Sequence, residues 1–225
     1  MSIRGGPDIV ENGLVLYLDA ANRRSYSGSG TTWVNIIDGT NNGTLTNGPT
    51  FDGVNGGSIV FDGANDFVDF TDSGLLPTAG LTVSTWYKTS VADKWLVDKA
   101  AGSFFNGYSI STTSAGAVSF QVNAPGVGTS AGFIAANAGN WVNIIGTWTP
   151  STSLILYSQG TQLAINTTSI PASINNPSAN LRVAGRANNT DYWNGSVAQV
   201  SIYNRALSAN EVLQNFNATR SRFNV

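Results

Sequence analysis

Cysteine and histidine are both missing from these 225 residues. The first absence excludes a disulfide framework and thiolate chemistry. The second removes the commonest general base and the commonest zinc ligand. Charge is scarce as well: 11% of residues are charged, against roughly 25% in ordinary globular domains. Net charge is −2, and the only neighbouring cations are Arg23–Arg24 and the Arg220/Arg222 pair. A nucleic-acid binder needs a clustered cationic face, so nucleic acid is excluded as a partner. No stretch approaches the ~20 apolar residues of a membrane span. The opening MSIRGGPDIVENG also lacks the apolar core of a signal peptide. The expectation is a protein made in a cytoplasm, with no membrane partner and no export signal of its own.

What the chain does contain is a packed β pattern. Hydrophobic residues make up 41%, six residues are Trp and 25 are Gly, which sets it apart from disordered chains. The dominant period is two. GLVLYLD places Leu14, Leu16 and Leu18 on one face, and GAVSFQVN sends Val118, Phe120 and Val122 inward with Ser119 and Gln121 outward. GSIVFDG, LTVSTWYK, NWVNIIGTW, SLILYSQG, LRVAG and SVAQVSIY continue the alternation. Each is bounded by Gly, Asn, Ser, Asp or Pro, the punctuation of turns. Many short strands of this kind predict an all-β, antiparallel two-sheet sandwich or jelly roll. KWLVDKAAGSFFNGY (Lys94–Tyr108) reads as a loop, and no linker divides the chain. The expected organisation is an arm over residues 1–12, one domain over 13–217 and a tail over 218–225.

Near the C-terminus, SVAQVSIYNRALSANEV (Ser196–Val212) passes from strand to helix. Ser208 stands three residues before Glu211, the spacing of a capping box. Val212, Leu213 and Phe216 then give an apolar face for a short helix, while Arg205 can pair with a carboxylate or with turn carbonyls. The stretch is expected to fasten the end of the fold and to carry no chemistry.

Three passages resemble the laminin-G-like, concanavalin A-like lectin/glucanase superfamily. They are FDGANDFVDF (Phe61–Phe70), LTVSTWYKT (Leu81–Thr89) and WNGSVAQVSIYNRALSANEV (Trp193–Val212). The resemblance implies a concanavalin A-like jelly roll closed by a short C-terminal helix. GLVLYLDAANRRSYSGSGTTWVN (Gly13–Asn35) resembles domains that decorate the capsids, necks or fibres of tailed bacteriophages. That implies a virion-surface structural protein made in the host cytoplasm, with other virion proteins and further copies of itself as partners and polysaccharide as an added ligand. The alternative is a lectin-like adhesin for surface attachment.

A glycan hydrolase fits less well. Glucanases of this superfamily work with paired carboxylates about 5–5.5 Å apart, yet Glu occurs only at Glu11 and Glu211, and no strand carries an acidic pair at i, i+2. The expectation is no enzyme. Relatives in the family hold calcium through Asp, Asn and carbonyl oxygens, ligands that suit a hard cation. Here the acidic group Asp62, Asp66, Asp69 and Asp72 is the candidate calcium site, with Asp19 near Gln199 as another. No other cofactor is implied. Sugar binding calls for an exposed aromatic ring beside amides and carboxylates. Trp86, expected on the strand face away from the core, is one candidate. The loop RANNTDYWNG is the other, with Asn188, Asn189, Asp191, Tyr192, Trp193 and Asn194 together.

Overall fold

A computed structural model describes residues 7–71, 75–89, 91–101, 106–113, 116–123, 128–130, 139–175, 179–187 and 190–225. The first half of the chain contributes β1 (Leu14–Asp19), β2 (Thr32–Trp33), β3 (Gly43–Thr46), β4 (Thr50–Asp52), β5 (Ser58–Asp62), β6 (Phe67–Phe70), β7 (Leu81–Lys88) and β8 (Trp95–Ala101). Then come β9 (Asn106–Thr112), β10 (Val118–Val122), β11 (Gly128–Ser130), β12 (Trp141–Thr149), β13 (Ser153–Ser158), β14 (Thr161–Asn166), β15 (Arg182–Val183) and β16 (Asn194–Tyr203). Helix α1 (Ala209–Thr219) and a 3-10 turn at Arg220–Phe223 close the chain.

The strands form two antiparallel sheets, so the expected all-β sandwich is what the chain adopts. The first runs β14-β13-β12-β7-β16-β5-β4, and the second β11-β10-β9-β8-β15-β6-β3-β2. The long β16 lies against β7 along one edge. Along its other edge it pairs first with β5 and then with β1. Between the sheets sits one core that includes Trp33, Phe61, Phe70, Phe120, Trp148 and Trp193, all essentially buried. Gly146 of β12 lets the sheets close, since a Cβ there would stand 2.3 Å from the Phe120 ring.

Two readings of the sequence change. The stretch read as a loop from Lys94 to Tyr108 contains β8 and the start of β9. Its alternation is hidden because a bulge between Trp95 and Val97 turns both Leu96 and Val97 toward the core, as an extra bulged residue does. Lys99 hides it further: this fully buried lysine donates from Nζ to the Ala179 carbonyl. Likewise Leu14 does not share a face with Leu16 and Leu18. The β1–β16 register shifts between Leu14 and Leu16, and Leu14 joins Val10, Tyr203, Leu207 and Val212 on the outer side of the first sheet.

That outer side is roofed by the chain ends. The capping box forms, with Ser208 accepting from the Glu211 amide and the Glu211 carboxylate accepting from Ser208. Arg205 donates both terminal nitrogens to Glu211 at 3.0 and 2.6 Å, and its Nε to the Asn12 carbonyl at 2.8 Å. The arm is held again where the Val10 amide donates to Asn215 Oδ1 and the Tyr203 hydroxyl to the Val10 carbonyl. The residues expected as a tail carry the end of α1 and the buried Phe223.

Candidate functional site

Trp86 does project from the face of β7 away from the core, but it is not exposed. Its ring stacks between Phe216 and Phe223, with centroids at 5.9 and 4.1 Å, and its Nε1 donates to Thr219 Oγ1 at 2.9 Å. A platform with 0% exposure offers nothing to a sugar. The cause is α1, which lays its apolar face on the ring.

The loop before β16 disperses the second aromatic candidate. Trp193 points into the main core, fully buried and edge-on to Tyr87 at 5.3 Å. Tyr192 stacks over Phe67 at 6.1 Å, whose ring also carries the Arg182 guanidinium 4.1 Å from its centroid. Asp191 accepts from Thr190 and lies 3.5 Å from Arg186. Asn194 is exposed and donates to the Asp62 carbonyl. Asn188 and Asn189 lie outside the described residues.

The calcium candidates do not converge either. Asp62 accepts from the Ala64 amide, and Asp66 accepts from the Asp62 amide. Asp69 stands in the other sheet, bonded by Arg182 Nε at 3.0 Å and Asn180 Nδ2 at 2.9 Å. These are turn and ion-pair duties. Asp72 lies outside the described residues, and among the described residues no three acidic side chains gather to hold a metal ion.

Asp98 is a functional-looking residue that sequence reasoning passed over. It lies on the outer face of β8, almost wholly buried, with Oδ2 accepting from the Ala187 amide at 2.8 Å. Burial pushes its carboxyl up to about 7, against the pull of that amide and of Arg186 and Arg182.

A concave site exists elsewhere, where the arm, β1, β16, the turn after Asn35 and the end of α1 meet. This groove of about 710 Å³ is lined on its polar side by Asp8, Glu11, Tyr17, Asp19, Gln199 and Arg222. Its apolar walls include Ile9, Ile36 and Ile37. Asp19 and Gln199 are direct cross-strand partners, so the pair singled out in the sequence does meet. Arg222 now claims Asp19, donating to Oδ1 at 2.6 Å, and Asp19 Oδ1 also accepts from the Ala21 amide. Gln199 Nε2 donates to the Tyr17 hydroxyl at 2.5 Å. Burial, and then the Asp19 charge, raises the Tyr17 phenol well above its ordinary range, so it stays a hydrogen-bond donor. The wall is fixed by fully buried Asn35, whose Oδ1 accepts from the Tyr17 amide while its Nδ2 donates to the Val15 carbonyl.

The groove has the mixed chemistry of small-ligand sites, apolar walls with a few aimed polar groups. No local pattern announced it, because Asp8, Glu11 and Arg222 reach it from opposite ends of the chain.

The architecture is that of a concanavalin A-like jelly-roll sandwich. The chain belongs to the concanavalin A-like lectin/glucanases superfamily, whose Laminin_G_3 family model matches residues 62–213. Among solved structures it is similar to the binding domain of Paraclostridial Mosquitocidal Protein 1, at 17% identity and a TM-score of 0.71 over 92% of this chain and 52% of that one. It is similar also to domain 4 of an extracellular arabinanase from Geobacillus stearothermophilus, solved in complex with arabinotriose. There identity is 15% and the TM-score 0.70, over 92% of this chain and 100% of that domain. The binding domain of a botulinum neurotoxin of serotype D/C aligns at 13% identity and a TM-score of 0.66, over 92% and 52% of the two chains. This chain therefore spans about half the length of the two toxin binding domains. At such identities the likeness is one of fold. The comparison with curated proteins returned no match.

Proposed function

We propose that this protein is a non-catalytic, glycan-binding domain displayed on the surface of a bacteriophage particle. The groove of Tyr17, Gln199, Asp19 and the Ile36–Ile37 wall is the observation that carries the binding reading. Apolar walls cover the C–H face of a sugar ring, while a phenol and an amide meet its hydroxyls. The non-catalytic reading is supported by the lack of an acidic pair at i, i+2 on any strand of the sequence, where a glycosidase needs two positioned carboxylates, and by the engagement of Glu211 with Arg205 and of Asp19 with Arg222. The arabinotriose seen with the similar arabinanase domain and the superfamily membership agree with a lectin role. The experiment is an array of neutral, amino and acidic oligosaccharides probed with the whole protein and with Gln199→Ala. Binding that Gln199→Ala weakens about tenfold supports the site, and a blank array rejects it.

The particle context rests on the resemblance of Gly13–Asn35, the segment that supplies Tyr17 and Asp19, to tailed-phage surface domains. One structural feature supports assembly. At the edge of the first sheet, β14 leaves Leu163 and Ile165 exposed by 41% and 52%, with exposed Leu213 on α1 nearby. An uncharged, aliphatic edge is a surface that proteins usually cover. Ile165→Lys is expected to abolish binding to purified particles or to further copies, followed by sedimentation and mass photometry. Unchanged sedimentation and mass would remove β14 as the contact.

A further inference from the structure

Resting on the glycan reading of the groove, we infer that its ligand class is set by charge: neutral and amino-bearing glycans enter, and acidic ones are refused. The argument starts from Arg222. Among the described residues it is the only cation lining the groove, and all three of its guanidinium nitrogens are committed. Nε donates to the Asn55 carbonyl at 2.5 Å, one terminal nitrogen to Asp19 Oδ1 at 2.6 Å and the other to the Gly57 carbonyl. The guanidinium thus spends three of its five N–H donors on the fold, and its charge is neutralised by Asp19, so it presents no net positive charge to a ligand carboxylate, sulfate or phosphate.

The rim carries the opposite sign. Asp8 and Glu11 are exposed and line the same groove. Their backbones are the parts that the fold uses, with the Asp8 carbonyl accepting from Gln214 Nε2 and the Glu11 carbonyl from the Leu14 amide. Both carboxylates remain on offer. The floor adds no positive charge: Gln199 has spent an amide hydrogen on Tyr17, leaving its carbonyl oxygen as an acceptor, and the phenol supplies a neutral O–H. Ile36 and Ile37 also wall a neighbouring hollow of about 530 Å³, where Arg24 stands together with Asp38. That hollow is balanced in charge, so among the described residues the net charge facing the groove is negative. Hydroxyls satisfy this donor and acceptor set without a charge, an ammonium gains from it, and a carboxylate pays to approach it.

The test measures the whole protein against three matched probes in low salt and mildly acid buffer: glucosamine oligomers, their N-acetylated counterparts and oligogalacturonate. Exposed charges of this kind contribute about 0.2–1 kcal/mol each, so two should favour the amino oligomer over the neutral one by roughly two- to thirtyfold. Oligogalacturonate should bind weakest of the three. In the double variant Asp8→Asn, Glu11→Gln the amino-to-neutral ratio should fall to about one, and added salt should produce the same collapse in the unaltered protein. Oligogalacturonate binding as tightly as the neutral oligomer would overturn the charge assignment and leave the glycan site standing. A preference that survives in the double variant would also overturn it. Silence from all three probes would remove the glycan site, and the charge rule with it.

Discussion

The clasp at the end of the chain and the groove beside it draw on the same small stock of charged residues and use them in opposite ways. In the clasp Arg205 and Glu211 face each other bidentately, Arg205 Nε donates to the Asn12 carbonyl, and the Glu211 carboxylate also accepts from the Ser208 amide. In the groove, among the described residues, the side chains of Asp8 and Glu11 hold nothing, and the one lining cation, Arg222, is neutralised by Asp19 and bonded to two carbonyls. Where a charge is paired inside a tight hydrogen-bond set, it is building the fold. Where carboxylates stand unpaired around a concavity in so charge-poor a chain, they are available to a ligand. The difference also separates the two tryptophans expected as sugar platforms from the groove. Both serve packing, one under the clasp and one in the core.

The sharpest way to break the contrast is to remove the clasp's central ring. Trp86→Ala strips the stack with Phe216 and Phe223 and the bond to Thr219, and buried Trp→Ala changes cost about 3–5 kcal/mol. Denaturant titration should show that loss, and proteolysis should cut within 209–225 first.

Next in size is a pair of opposite pH effects. Asp98 is pushed up to about 7 in the folded protein, against roughly 3.9 in an unfolded chain. Between those values the folded state holds a proton that the unfolded state has released, so stability falls as pH rises through 7. Glu211 is held down at about 2 by Arg205, against desolvation. Its stabilisation is present above an unfolded value near 4.3 and is lost as pH falls through 2. Denaturation midpoints measured across pH should therefore lose the decline between about pH 4 and 7 in Asp98→Asn, on the order of a few kcal/mol. In Glu211→Gln they should lose the acid limb instead.

The smallest stability effect belongs to the groove. Glu11→Gln should move the denaturation midpoint by an amount equivalent to less than about 0.5 kcal/mol, since among the described residues no fold contact uses its carboxylate. A large loss there would erase the distinction between clasp and groove.

Much of the architecture was legible along the chain. Period-two runs bounded by turn residues marked β1, β5, β7, β12, β13 and β16 of the first sheet and β10 and β15 of the second, and Ser208 with Glu211 marked the start of α1. Strand β8 was not legible, since a bulge and a buried Lys99 interrupt its alternation. Trp86 was placed on the correct strand face and still misread, because side-chain direction within one strand says nothing of what later packs on it. The same limit split Asp62 and Asp69 between the two sheets. It also left the groove unseen, although Asp19 and Gln199 had been noticed as a pair.

Local order by itself determined that this chain is a β sandwich closed by a capped helix. Alternation, turn residues and a capping box are short-range signals, each set by the backbone of a few neighbouring residues. Tertiary structure alone decided where a groove opens and which charges line it. The groove unites Asp8, Tyr17, Gln199 and Arg222 from both ends of the chain, and whether a charge is free or spent is settled only when its partner, Arg222 for Asp19 or Arg205 for Glu211, arrives from elsewhere in the fold.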